Sequence, residues 1–232
     1  MINGDVGGEG LRRRLVVGVV VLTAAAALTG CGSAEETVSA PAGRTAAPKH
    51  FGPAGYGNLT LTMTEAEALA TGDLHSAPAS MVQDLTVYSF VDGPKPDPSR
   101  MAAEEKLAKE LEAAEKKAAS GSIDEQTRVL QLRAKSMRGM ATQLDAFLGA
   151  GGAGFTDGKI DSIAAPVDAA TEAGIKRGST LAELKAAYQA KGLEADSESM
   201  YLLAVEGNPG WVLQFETEND AVKYMTLNNR GK

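Results

Sequence analysis

The groups in this 232-residue chain with chemistry to offer are one thiol, two imidazoles and a scatter of carboxylate pairs. Cys31 is the only cysteine. It closes an apolar run that starts at Leu15, follows Arg12, Arg13 and Arg14, and ends in Leu28, Thr29 and Gly30. A basic head, an apolar stretch and small residues before a cut site is the layout of an export signal. The stretch is too short, and too rich in alanine at its end, for a confident membrane span. A single unpaired thiol is odd in an exported protein unless a modification consumes it. It also leaves the exported part without a disulfide, so its core must hold it folded. The remaining candidates carry less. His50 and His75 have no Cys or His neighbour at metal-ligand spacing, so no zinc site is expected. No Gly-x-Ser-x-Gly, His-Glu-x-x-His or phosphate-loop motif occurs. Glu104/Glu105, Asp124/Glu125 and Glu216/Glu218 are carboxylate pairs, but acid–base work needs two groups converging in a cleft. Solvated surface is the ordinary reading of such pairs. Asp157-Gly158 and Glu218-Asn219-Asp220 lack the regular oxygen spacing of a calcium loop. No catalytic residue, cofactor or metal is expected.

Leu28-Thr29-Gly30-Cys31 resembles the lipobox of bacterial lipoproteins, with Thr29 where Ser or Ala is more usual. The resemblance implies that the Cys31 thiol receives a diacylglycerol, that the chain is cut before it, and that Cys31 becomes the mature N-terminus. The alternative is an ordinary secretory signal with an incidental cysteine. Arg13-Arg14-Leu15-Val16 weakly resembles a twin-arginine signal, although a plain basic head is the favoured reading, since Arg runs are generic there. The implied address is the extracytoplasmic face of the cell membrane, held by lipid. The whole chain carries −7; residues 1–30 contribute +1, from three Arg against Asp5 and Glu9, which leaves −8 for the rest. An acidic body argues against nucleic acid and against electrostatic adhesion to anionic lipid. The partners expected are the membrane, through the anchor, and a protein of the envelope.

Segments follow from composition. Residues 31–58, rich in Ala, Pro, Gly, Ser and Thr, read as a disordered spacer after the signal at 1–30. A first α+β half is expected at 59–98. There Leu59 and Leu61 alternate with Thr60 and Thr62 like a short strand. Thr64 and Glu67 then form a capping box, in which the Thr oxygen accepts an amide and the Glu reaches back. Leu85 to Phe90 is strand-like. A helical hairpin insert is expected at 99–150. Its first arm carries Leu107, Leu111, Ala114 and Ala118. The second, capped by Ser122 and Glu125, carries Leu130, Ala134, Met137, Met140 or Ala141, Leu144, and Phe147 or Leu148. These stripes are expected to pack on each other and on a sheet; the alternative is a projecting hairpin that binds a partner through its Met137/Met140 side. Gly149 to Gly154 reads as a loop.

The second half, 151–232, carries an Asp157-Gly158 hairpin signal. It then has a capped helix from Thr180 and Glu183, and strands at 200–205, 211–215 and 222–227. A shift of 116 residues lays Thr64 on Thr180, Glu67 on Glu183 and Leu59 on Ile175, which suggests a duplicated strand–turn–helix unit. The expected fold is therefore α+β: duplicated strand–turn–helix units, a C-terminal antiparallel sheet and an inserted helical hairpin.

The unit Gly178-Ser179-Thr180-Leu181-Ala182-Glu183 resembles the repeat of β-lactamase-inhibitory proteins and of the BamE/SmpA outer-membrane-assembly lipoproteins. The chain also resembles uncharacterised actinomycete secreted lipoproteins with a first unit like Leu59–Ala68 and a later one like Gly174–Tyr188. Thr62 stands where the first unit's glycine would be, so its turn is open to difference. The resemblance implies a fold, and no contact motif of the inhibitors is present to carry a residue over. Tyr201, Trp211, Phe215 and Tyr224 are expected in the core, and an exposed subset of them on a sheet face would be the aromatic binding candidate. The functional expectation is a lipid-anchored, non-catalytic binding module, with a hydrolase inhibitor or a small-ligand carrier as alternatives.

Overall fold

The computed structural model describes residues 49–82, 85–119 and 121–231. The signal segment, the Leu28–Cys31 box and the first part of the expected spacer lie outside the described residues. The body is α+β, with an eight-stranded antiparallel open sheet and a long helical hairpin. In chain order it comprises α1 (Glu65–Ala70), β1 (Ser80–Val82), β2 (Leu85–Ser89), α2 (Pro98–Ala118), α3 (Ile123–Ala150), β3 (Gly152–Thr156), β4 (Lys159–Ala164), α4 (Leu181–Tyr188), β5 (Glu194–Ser197), β6 (Met200–Ala204), β7 (Trp211–Glu218) and β8 (Ala221–Asn229). The sheet order is β1-β2-β3-β4-β8-β7-β6-β5, so the chain's first four strands and last four meet at β4–β8.

Register makes one face of this sheet apolar across six strands. Tyr88, Ala153, Ile163, Leu227, Leu213 and Leu203 are consecutive cross-strand partners. All six are buried in the main core. Side chains alternate along a strand, so their neighbours face the other way. That second face is mixed: Gly154, Ser162, Asn228 and Val212 are its corresponding partners. The C-terminal part of α3 covers one region of it, where Phe147 packs with Val82, Val87 and Ala164.

Two short helices start in the same way. Thr64 Oγ1 accepts from the Glu67 amide, and the Glu67 carboxylate takes the Thr64 amide at 2.8 Å. Thr180 and Glu183 repeat this, with the amide bond at 2.7 Å. Each helix also docks on a hairpin turn. The Glu65 amide donates to Gly158 and the Leu181 amide to Asp220. Just before each cap, Thr62 N–H bonds Ile160 and Gly178 N–H bonds Val222.

The turn at Thr62 does not differ from that at Gly178. Both are left-handed, with φ 72° and 80°. A β-branched side chain is disfavoured there by roughly 1–2 kcal/mol. Thr62 is exposed, so Thr62→Gly removes strain without opening a cavity. We expect a net gain of about 1 kcal/mol after the entropy cost of glycine, read as a higher urea midpoint; an unchanged or lower midpoint would show that the turn carries no strain.

Three segments depart from the sequence reading. Leu59–Thr62 forms turns with an isolated Tyr56–Leu59 bridge rather than a strand. Leu59 and Leu61 are both buried, so the alternation marks packing, not a ladder. Gly152–Gly154 belongs to β3 rather than to a loop. The third difference is at the spacer: Lys49–Asn58 packs against the body. Phe51 is 0% exposed and its amide bonds the Ala170 carbonyl.

Asp73 fixes this segment. It accepts from Lys49 Nζ at 2.8 Å, from the Asn58 amide at 3.0 Å and from Asn58 Nδ2 at 3.1 Å. Burial alone would raise its carboxyl, but these donors outweigh it and hold it below the ordinary value of 3.8. A depressed carboxyl contributes stability that is complete above pH 3.8 and lost as pH falls through its folded value. We therefore expect Asp73→Asn to be less stable than the parent at pH 6 and to show a shallower loss below pH 4, measured by urea unfolding across pH.

Candidate functional site

The helical hairpin is the part of the body whose apolar residues are least accounted for by packing. Asp97 starts α2, accepting from the Ser99 amide at 2.9 Å with Pro98 in the first turn. In α3 the Ser122 amide donates to the Glu125 carboxylate at 2.9 Å. The two helices pack along each other. Their inward positions are Leu107, Leu111 and Ala114 on α2, and Val129, Leu132 and Ser136 on α3. Glu115 and Arg133 clasp the pair at 2.8 Å.

Of the second-arm stripe expected to pack, the end does so at Phe147 and Leu148, while most of the rest is open to solvent. Ile123, Leu130, Met137 and Leu144 are 80%, 65%, 65% and 42% exposed. They recur every seven residues, which on an α-helix places them on one line about 32 Å long. Thr127, Ala134 and Ala141, also exposed, fall four residues after each of the first three. Large and small residues therefore alternate along a seam turned away from α2.

Beside the C-terminal part of this seam the helix and the sheet enclose an open groove of about 540 Å³. Met137, Met140, Ala141 and Leu144 form its helical wall, and Val82, Leu85, Thr156 and Asp161 its sheet wall. The charges of the two helices differ in kind. On α2 four of the five cations are paired one turn away, Lys117 being the exception: Arg100 with Glu104, Lys106 with Glu110, Lys109 with Glu105 and Lys116 with Glu112. On α3 the stretch 126–144 holds Arg128, Arg133, Lys135 and Arg138 and no acid. Arg133 has Glu115; Arg128, Lys135 and Arg138 have no ion-pair partner among the described residues.

The end of α3 is held to the sheet by two contacts that the sequence did not signal. Tyr224 Oη donates to Asp145 Oδ1 at 2.6 Å, and that bond, together with burial, raises the phenol. The Arg177 guanidinium donates to the carbonyls of Gly149 at 2.6 Å, Ala165 at 3.1 Å and Leu148, and lies over the Tyr224 ring. A cation here meets the negative end of the helix.

The expected site residues fall elsewhere. Cys31 and its box are outside the described residues. Tyr201 and Phe215 are in the main core and Trp211 packs against it. Tyr224 is buried under α3. These four are thus not gathered on an exposed face. The carboxylate pairs do not converge. Glu104 is half-buried, its carboxyl raised by burial against the pull of Arg100, while Glu105 points at Lys109. Glu125 caps α3, and Glu218 pairs with Lys223 at 3.0 Å. Among the described residues no group of His, Cys, Asp and Glu is placed to hold a metal ion, and no helix is long and apolar enough to cross a membrane. A second open depression of about 530 Å³ lies beside Lys49, Tyr56 and Asp73.

Compared with protein-family models, with curated proteins and with solved structures, the chain finds no match in any of the three.

Proposed function

We propose that the protein is a lipoprotein of the cell envelope, anchored through Cys31, whose α+β body is a non-catalytic binding module presenting the exposed seam of α3. The seam carries the reading: four large apolar side chains in register on one helix, open to solvent and running into a groove. Exposed apolar stretches that are contiguous rather than scattered mark interaction surfaces. The anchor is supported by the signal layout and by Cys31 being the only thiol. With the body packed from Lys49, at most 18 residues separate it from the lipid, a reach of no more than about 65 Å fully extended.

The body itself reads as a duplication. The two capped helices share the 116-residue shift, the left-handed turn before the cap and the docking on a hairpin turn, and the strand order is mirrored about β4–β8. On this reading the α2–α3 hairpin is an insertion at the place where β6 and β7 are joined by a short turn. The duplicated unit also supports a second reading, an inhibitor of a secreted hydrolase, which inhibition assays on purified β-lactamases and serine hydrolases decide.

Detergent partitioning tests the anchor. The parent chain should follow the membrane fraction, and Cys31→Ser should be released; a variant that stays bound removes the anchor. Crosslinking in intact envelopes through a photoreactive residue at position 130 tests the module. An adduct with a defined protein supports it, and none above the level of an exposed α2 control removes it.

A further inference from the structure

We infer that the α3 seam is the docking site for an amphipathic helix of a partner protein, with apolar residues at heptad spacing and acidic residues on its flanks. This deepens the binding-module reading and rests on it.

Spacing argues for a helix as the occupant. Ile123, Leu130, Met137 and Leu144 repeat at seven residues with Thr127, Ala134 and Ala141 interleaved. Side chains of one helix insert as knobs into such a pattern, and the small residues leave the holes. The groove beyond Met137 gives room for bulk where the seam meets the sheet. A seam of about 32 Å matches roughly six turns of a partner helix.

Charge selects the partner. In the heptad frame that the seam sets, Arg138 flanks it on one side, with Arg128 and Lys135 farther round on that side, and Arg133 flanks it on the other, where it meets Glu115. Three cations on one side of an apolar seam, none with an ion-pair partner among the described residues, on a chain of net charge −7, favour acidic flanks in the occupant.

The same cations argue against a second copy of this chain. Antiparallel pairing that sets Leu130 against Ala141 and Met137 against Ala134 matches large to small. The same rotation leaves the two Lys135 about 2 Å apart and the two Arg138 about 8 Å apart along the axis, like charges on the same side of the pair. Parallel pairing sets Arg133 of one copy beside Arg138 of the other. A lipid surface suits the cations but not the seam. Helices that lie in an interface bury a broad face of bulky residues, whereas this one is a single line broken by Thr127, Ala134 and Ala141.

The test uses the full chain as Cys31→Ser/Met137→Cys, whose single thiol takes an environment-sensitive fluorophore in the seam. The probes are two synthetic 28-residue helices with Leu at positions a and d, one with Glu at e and g and one with Lys. The Glu helix should shift the dye to the blue and bind at least about tenfold tighter than the Lys helix. Lys135→Glu with Arg138→Glu should reverse that preference. Leu130→Glu should weaken both helices by about tenfold or more with unchanged circular dichroism. Equal binding of the two helices overturns the proposal. So does a blue shift that grows with chain concentration alone, which means a second copy, or one produced only by anionic vesicles, which means lipid. Should the Met137→Cys chain not fold, Leu130→Cys carries the dye. A Cys31→Ser chain retained in membranes would defeat the anchor and leave this result standing. A silent dye on a folded chain would defeat the helix partner and leave the anchor standing.

Discussion

Truncating Phe51 to alanine is expected to lower the stability of the body by about 4 kcal/mol, the usual cost of emptying a fully enclosed phenylalanine site. The ring is 0% exposed and belongs to the main core cluster. Its backbone is fixed as well, by the amide bond to Ala170 at 3.0 Å. The ring therefore cannot swing out without breaking that bond, and the site cannot collapse around alanine without moving core residues. If Lys49–Asn58 only rested on the surface, the substitution would cost less than about 0.5 kcal/mol. Urea unfolding separates these outcomes, with the exposed neighbour His50→Ala as a control expected to stay near the parent. The result bears on function because Phe51 sets how much chain is left between the body and Cys31.

Arg177→Ala should be the second large loss, about 3 kcal/mol, because it removes a cation from three carbonyls at once. Those carbonyls are the Leu148 and Gly149 oxygens at the end of α3 and the Ala165 oxygen after β4. The guanidinium is half-buried, and burial holds its pKa below the ordinary arginine value, yet it remains the cation that closes the helix. For a body of this size the loss corresponds to a melting temperature lower by about 6–12 °C. Hydrogen exchange locates the effect: amides of residues 143–150 should exchange faster, while those of β6 and β7 follow only the global loss. Arg177→Lys should recover less than half, since an ammonium cannot present the planar fork that spans these acceptors. Uniform loss of protection across the sheet would show that Arg177 supports the sheet rather than the hairpin.

Elements set by neighbouring residues were readable along the chain. The boxes at Thr64 and Thr180 close within four residues, and the structure forms both as written. The Asp157-Gly158 turn has both residues at positive φ, as its type demands. The helical hairpin follows from strong helix formers interrupted at one turn. The 116-residue shift between the capped units was also visible, because each unit repeats the same local chemistry.

What failed was the assignment of faces. Leu130 and Met137 read as packing residues because apolar side chains at helical spacing usually are. The structure gives the contact with α2 to Val129 and Leu132, and leaves the heptad line in water. Periodicity shows that a face is apolar but not which neighbour covers it. That depends on the angle at which α3 leaves the sheet, which Arg177, Asp145 and Tyr224 fix over separations of 12 to 79 residues. Phe51 failed for a related reason. One aromatic among Ala, Pro and Gly has no period to announce it, and its burial depends on a carbonyl at Ala170, far along the chain.

The sequence by itself determined the caps, the turns, the helical arms, the acidic balance and the lone thiol at Cys31, because each rests on residues within a few positions or on a simple count. Only the tertiary structure decided that the two halves share one sheet, that the fold takes in Phe51, and that the α3 seam stays uncovered. Those outcomes depend on long-range register and on which apolar surfaces find partners, and neither is encoded within a single turn of chain.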